Sequence, residues 1–121
     1  MTLQDLYSEI GGSYNDVMKR LGTEKMVNKF VIKFLAAADH DNLKTAVRDG
    51  DWELAFRSAH NLKGVGLNLS FDRMAEAASV LCEEIRHGAP QHDISGMIAD
   101  VDKKYIQVVE QINLYKEANG L

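Results

Sequence analysis

The sequence is poor in cysteine, proline and long apolar runs, and each scarcity narrows what the chain can be. A single cysteine, Cys82, excludes a disulfide within the chain and fits a reducing compartment. A single proline, Pro90, permits long uninterrupted helices. The longest apolar run, from Phe34 to Ala38, is far shorter than the roughly 20 residues that a membrane-spanning helix needs. We therefore expect no membrane segment.

Positive charge is also in short supply. The formal net charge is −4, and a general nucleic-acid-binding surface is not expected because duplex binding usually needs a basic face. The chain starts with MTLQDLYSEI, which contains acidic residues and lacks the apolar segment of a signal peptide. Its 121 residues, of which 45% are hydrophobic, suit one domain with one core. We expect a single cytoplasmic domain over residues 1–121, free-standing because it starts with Met1.

The spacing of apolar residues predicts an all-α protein. Apolar side chains recur at helical spacing almost everywhere, and no segment alternates with a period of two. Ser13, Thr23 and Asp51 are predicted to cap the starts of helices, since short polar side chains accept hydrogen bonds from the first turn. A turn is predicted at 39–42, which includes His40, with a short helix after it. Two further helices are predicted over about 52–68 and about 71–86.

The last helix has an apolar stripe with a period of about 3.5 residues, which is typical of helices that pack at a shallow angle. A coiled-coil dimer would produce the same stripe. The other amphipathic helices also need partners, however, so packing within a monomer is favoured. We predict an antiparallel four-helix bundle with short additional helices at the N-terminus.

The helix predicted over 52–68 carries an unusual set of side chains on one face. On a helical wheel of about 100° per residue, His60 lies nearly opposite the predicted core face, which contains Leu62, Leu69, Ala55, Ser58 and Val65. His60 is therefore predicted to face solvent in the middle of the helix. Six residues share its face within about 60°: Glu53, Phe56, Arg57, Lys63, Gly64 and Leu67.

Three features of this face indicate more than an ordinary polar surface. Gly64 costs the helix about 1 kcal/mol relative to alanine, and clearance beside the imidazole would explain it. Lys63 can direct an ammonium toward a dianionic group on the ring. Phe56 and Leu67 place large apolar side chains on the surface, as docking sites do. A single exposed histidine is usually unremarkable, but the combination indicates a docking surface with a nucleophilic histidine.

The run AHNLKGVGLNL at 59–69 resembles the signature of histidine-containing phosphotransfer (HPt) domains. In that family a phospho-accepting histidine is followed by x-(Leu/Ile)-Lys-Gly and then by small residues. The residues DGDW at 49–52 resemble the turn that leads into the family's histidine helix, and the similarity covers most of the chain. The resemblance implies that His60 is phosphorylated, that Lys63 stabilises the phosphoryl group and that Gly64 is kept small for access. Val65 and Ser70 depart from residues common in the family.

The resemblance also implies a role in a two-component phosphorelay, with a response-regulator receiver domain or a hybrid sensor histidine kinase as partner. The sequence has no Walker-type glycine loop and no acidic Mg²⁺ site aligned with His60. We therefore predict a phosphocarrier without kinase activity or cofactor of its own, whose partner supplies Mg²⁺ and the aspartate. The residues predicted to contact that partner are Glu53, Phe56, Arg57 and Leu67.

No metal site is predicted, because His87 and His92 lack further ligands at a suitable spacing. Two alternatives to the carrier remain open. The first is an HPt-like helical module that binds a receiver or a kinase without phosphotransfer. The second is a structural bundle whose exposed patch is an oligomer interface.

Overall fold

The computed structural model describes all 121 residues and contains α-helices but no strands. In chain order the helices are α1 (Leu3–Ile10), α2 (Tyr14–Leu21), α3 (Glu24–Phe34), α4 (Asp39–Asp49), α5 (Trp52–Asn68), α6 (Asp72–Glu84) and α7 (Ser95–Ala118). The predicted all-α class is confirmed. None of these helices combines the length and the apolar character that crossing a membrane requires.

The three predicted caps start their helices as expected. The side chains of Ser13, Thr23 and Asp51 accept hydrogen bonds from backbone N–H groups in the first turns of α2, α3 and α5. At the C-terminal end of α4, Gly50 adopts a left-handed conformation with a φ of 71°, which glycine tolerates without strain. Gly50 and Asp51 together fix where α5 begins, and so which of its side chains face the core.

The bundle is centred on α5, which packs between α4 and α6, and α6 packs in turn on α7. Helices α4 to α7 form the predicted antiparallel bundle, and α1 and α3 lie against α7. The core of 26 buried residues takes side chains from all seven helices. Because α5 has a neighbour on each side, its remaining face is the one that meets solvent.

The turn between α5 and α6 is held in place by buried aromatic residues. Ser70 has a φ of 56°, and its hydroxyl accepts a hydrogen bond of 2.9 Å from Arg20. The Tyr7 hydroxyl donates a 2.7 Å hydrogen bond to the Leu69 carbonyl. Phe71 packs against Tyr7, with the ring centroids 5.8 Å apart. Serine thus occupies a left-handed position because side chains of α1 and α2 support the turn.

Tyr7 gives the fold an expected sensitivity to alkali. Burial raises the pKa of Tyr7 well above its ordinary value, because a buried phenolate is poorly solvated. Because the pKa of Tyr7 is higher in the folded protein than in the unfolded chain, burial of the neutral phenol stabilises the fold fully below about pH 10. This contribution to stability is lost as the pH rises further. Tyr7→Phe should cost about 1 kcal/mol at pH 7 and should lose less stability than the wild type between pH 8 and 11. Urea unfolding measures both effects, and equal alkaline losses would contradict this expectation.

The start of α4 corrects one prediction. His40 was expected in a turn, but α4 begins at Asp39 and His40 is only 6% exposed. The His40 Nε2 lies 2.6 Å from Asp102 Oδ1 on α7, and its ring stacks on Tyr105 with centroids 3.9 Å apart. The residue before the helix, Ala38, provides no side-chain cap. The helix therefore extends to Asp39 with support from contacts to α7, which local sequence does not reveal.

Candidate functional site

The middle of α5 presents His60 to solvent. The residues of α5 that face the core are Ala55, Ser58, Ala59, Leu62 and Gly66, and each is buried. His60 is exposed and Val65 is half-buried at the margin of the core face. The predicted exposure of His60 is confirmed, while Val65 contributes less to the core than expected. A helix fixed on both sides holds the imidazole on a rigid support.

Phe56, one turn before His60, provides an apolar contact for the imidazole. The two rings meet edge to face, with centroids 5.8 Å apart and an interplanar angle of 68°. Phe56 is half-buried and packs against the core, whereas Leu67 on the other side of the histidine is 52% exposed. The imidazole therefore has one anchored and one free apolar neighbour on its own face.

The two glycines of α5 have different surroundings. A Cβ added at Gly64 would meet no heavy atom within 4 Å. A Cβ added at Gly66 would lie 3.0 Å from the Ala75 Cβ and 3.2 Å from the Ala75 Cα. Gly66 therefore allows the close approach of α5 and α6. Packing gives no reason for glycine at position 64, which leaves open space on the His60 face.

This contrast predicts that alanine at positions 64 and 66 has opposite effects on stability. Gly64→Ala should stabilise the protein by about 0.5–1 kcal/mol, because alanine favours the helix and meets no neighbour. Gly66→Ala should destabilise it, because the backbone of Ala75 has to move. Urea unfolding of the two variants measures the sign of each change in the free energy of unfolding. If Gly64→Ala destabilises the protein, the space beside Gly64 is not open.

Lys63 lies on the side of the face that borders α6. The side chain is half-buried, and its charge contributes, after the larger effect of Arg86, to lowering the pKa of Glu83. The neighbouring Cys82 is buried as predicted, and burial raises the pKa of its thiol. A thiol with a raised pKa is a poor nucleophile at neutral pH.

Two residues near the border of this face were not indicated by the sequence: Glu83 in the last turn of α6 and Arg86 just after that helix. Arg86 Nη2 pairs with Glu83 Oε1 at 2.5 Å. The guanidinium carbon of Arg86 also lies 5.7 Å from the centroid of the Phe56 ring, so Arg86 and His60 contact the same phenyl ring. The only available signal was the (i, i+3) spacing of the pair, which is common on helices.

The other border of the face is polar. Asn61 donates a hydrogen bond of 3.4 Å to Asp39 Oδ1 at the start of α4. Glu53 and Arg57 are exposed, and Glu53 lies in the first turn of α5, where a negative charge complements the helix dipole. Of the four predicted partner contacts, Glu53, Arg57 and Leu67 are exposed and Phe56 is half-buried. The structure thus brings all the predicted site residues to one surface.

The remaining histidines lie outside α5. His92 Nδ1 lies 3.4 Å from Glu84 Oε2, and His87 is exposed in the loop before α7. No group of three or more His, Cys, Asp or Glu side chains is arranged to hold a metal ion. His60 is thus distinguished by its position in mid-helix with Lys63 and Gly64 in the following turn.

The site thus combines an exposed mid-helix histidine with a lysine and an open glycine position in the following turn. A comparison with protein-family models finds a match to the Hpt domain over residues 33–113, from the end of α3 through most of α7. The chain belongs to the Hpt domain family, as the sequence resemblance predicted. Hpt domains are phosphocarriers of two-component signalling, not enzymes, and interact with receiver domains and kinases. No curated protein and no solved structure matches the chain.

Proposed function

We propose that this protein carries a phosphoryl group on His60 and exchanges it with the aspartate of a response-regulator receiver domain. The observation that supports the proposal most directly is the exposed imidazole of His60 beside the open space at Gly64. Neutral imidazole is a competent nucleophile near pH 7. A receiver domain, or a hybrid sensor histidine kinase that contains one, is the partner in this proposal.

The proposed transfer exchanges one bond to phosphorus for another. A ring nitrogen of His60 attacks the phosphorus of an aspartyl phosphate, the N–P bond forms, the P–O bond breaks, and the carboxylate leaves with its electron pair. The reverse steps return the group. Lys63 neutralises part of the phosphoryl charge, and Gly64 leaves room for the approaching acceptor. Mg²⁺ and the aspartate come from the partner, so the protein contributes half of the reacting site and no kinase activity.

The proposed docking surface is the exposed face of α5. It presents an apolar ring, an apolar side chain and charges of both signs, contributed by Phe56, Leu67, Glu53 and Arg57. Transfer needs in-line alignment of two proteins. A rigid helix at the centre of the bundle suits that requirement better than a loop would.

The proposal treats residues 1–121 as one HPt-like domain that acts as a monomer. Support for one domain comes from the core, to which all seven helices contribute. Support for a monomer comes from the stripe of α7, where Val101, Val108, Ile112 and Tyr115 are buried within the chain and are not free to form a coiled coil. A cytoplasmic location belongs to the same proposal, since Cys82 is an unpaired thiol.

Phosphotransfer to the full chain tests the function. Purified protein is incubated with a panel of phosphorylated receiver domains and Mg²⁺, and label on this chain is tested for stability in acid and base. We expect label that is acid-labile and base-stable, as a phosphoramidate is. Absence of label with every receiver would overturn the carrier proposal. Receiver binding without label would favour an interaction module, and concentration-dependent self-association through the α5 face would favour an oligomer interface.

A further inference from the structure

We propose that Glu83 acts as a competing anion at the phosphorylation site: it holds Arg86 and attracts Lys63 until a phosphoryl group on His60 displaces it. Glu83 thereby lowers the affinity of His60 for the phosphoryl group and favours its onward transfer. This inference rests on the proposed function, because it presupposes that His60 is the phosphorylated residue.

The first support is the position of the Glu83–Arg86 ion pair. Arg86 makes a 2.5 Å contact to one Glu83 oxygen, and its Nε lies 3.4 Å from the other. The guanidinium lies over the ring of Phe56, 5.7 Å from the centroid, and the same ring meets His60 edge to face. The ion pair is therefore separated from the imidazole by one phenyl ring, on the border of the face that Lys63 also occupies.

The second support is that the pair is easily broken. The side chain of Arg86 is 45% exposed and that of Glu83 is 60% exposed, and exposed ion pairs contribute little to stability. Arginine recognises carboxylates and phosphoryl groups through the same planar donors. A phosphoryl group carries close to two negative charges near neutral pH. The stronger anion can thus take Arg86 from Glu83 without a change in the backbone.

The third support is the charge balance on this border. Arg86, Lys63 and His87 all lower the pKa of the Glu83 carboxyl, in that order of strength, and the first two are the cations that border the His60 face. Glu83 is therefore ionised at neutral pH, when His60 would be phosphorylated. Its negative charge partly cancels the attraction of the two cations for the phosphoryl group. Such a balance suits a carrier, which has to release the group as well as accept it.

The test uses reversible transfer between the full chain and a phosphorylated receiver with Mg²⁺. At equilibrium, Glu83→Gln should raise the ratio of phosphorylated protein to phosphorylated receiver by about threefold to tenfold, because it removes a negative charge that lies across the Phe56 ring from the dianion. Glu83→Asp keeps the charge and should remain within about twofold of the wild type. The difference between Glu83→Gln and wild type should shrink at high salt, which screens exposed charges.

Glu76→Gln is the matched control. Glu76 is exposed on the same helix, but it lines a groove against α7 with Gly96, Asp100 and Lys104, away from the His60 face. The control should leave the ratio unchanged. An unchanged ratio in Glu83→Gln overturns the inference, and so does an equal rise in Glu76→Gln. If the wild type itself takes no label, the proposed function fails as well. A labelled wild type with an unresponsive Glu83→Gln variant overturns only the role of Glu83.

Discussion

Replacing His60 with glutamine is expected to abolish phosphoryl labelling while leaving the fold intact. The side chain is exposed and contributes nothing to the buried core, and glutamine is a good helix former. What is lost inside the protein is the edge-to-face contact with Phe56, worth about 0.5–1.5 kcal/mol. The amide nitrogen of glutamine is not a nucleophile, so label should fall below detection. Circular dichroism and transfer from a phosphorylated receiver measure the two properties separately.

Another histidine provides the control for this experiment. His92 is exposed in the loop before α7, where its Nδ1 lies 3.4 Å from Glu84 Oε2, so His92→Gln makes the same chemical change away from α5 and should be labelled like the wild type. His40 is not a suitable control, because it is buried and paired with Asp102. Labelling that survives His60→Gln would show that the phosphorylated residue had been assigned wrongly.

The face of α5 was predictable because local rules determine it. Asp51 marks the start of the helix, and the apolar spacing after it decides which side is buried. Once Leu62 and Ser58 face inward, the helical period directs His60 outward. The same reasoning identified the stripe of α6, in which Cys82 is buried.

Contacts between helices could not be predicted in this way. His40 appeared to lie in a turn because its partners, Asp102 and Tyr105, belong to the last helix. Arg86 was assigned only to the end of a helix, because its approach to Phe56 depends on how α5 and α6 align. A wheel describes one helix, and these residues acquire their neighbours only when two helices pack.

Replacing Phe71 with alanine is expected to cause the largest loss of stability among the substitutions considered. The side chain is fully buried and packs between Tyr7 of α1 and Phe34 of α3, with ring centroids 5.8 Å and 5.4 Å away. Truncation leaves a cavity where three helices meet, at a cost of about 3–5 kcal/mol. That is a large part of the roughly 5–15 kcal/mol that holds a domain of this kind together. Urea unfolding gives the value, and Phe71→Leu keeps the series measurable if the alanine variant is largely unfolded.

Phe56→Ala is the matched comparison, since it removes the same ring from the surface of the bundle. Phe56 is half-buried, so its loss should cost less stability than that of Phe71, about 1–2 kcal/mol. Its loss should nevertheless slow transfer from the receiver, because the ring lies between His60 and Arg86. Phe71→Leu should transfer normally at concentrations of urea where it is folded. We assign Phe56 to docking and Phe71 to the core. Equal stability losses at the two positions would contradict this assignment, and so would normal transfer by Phe56→Ala.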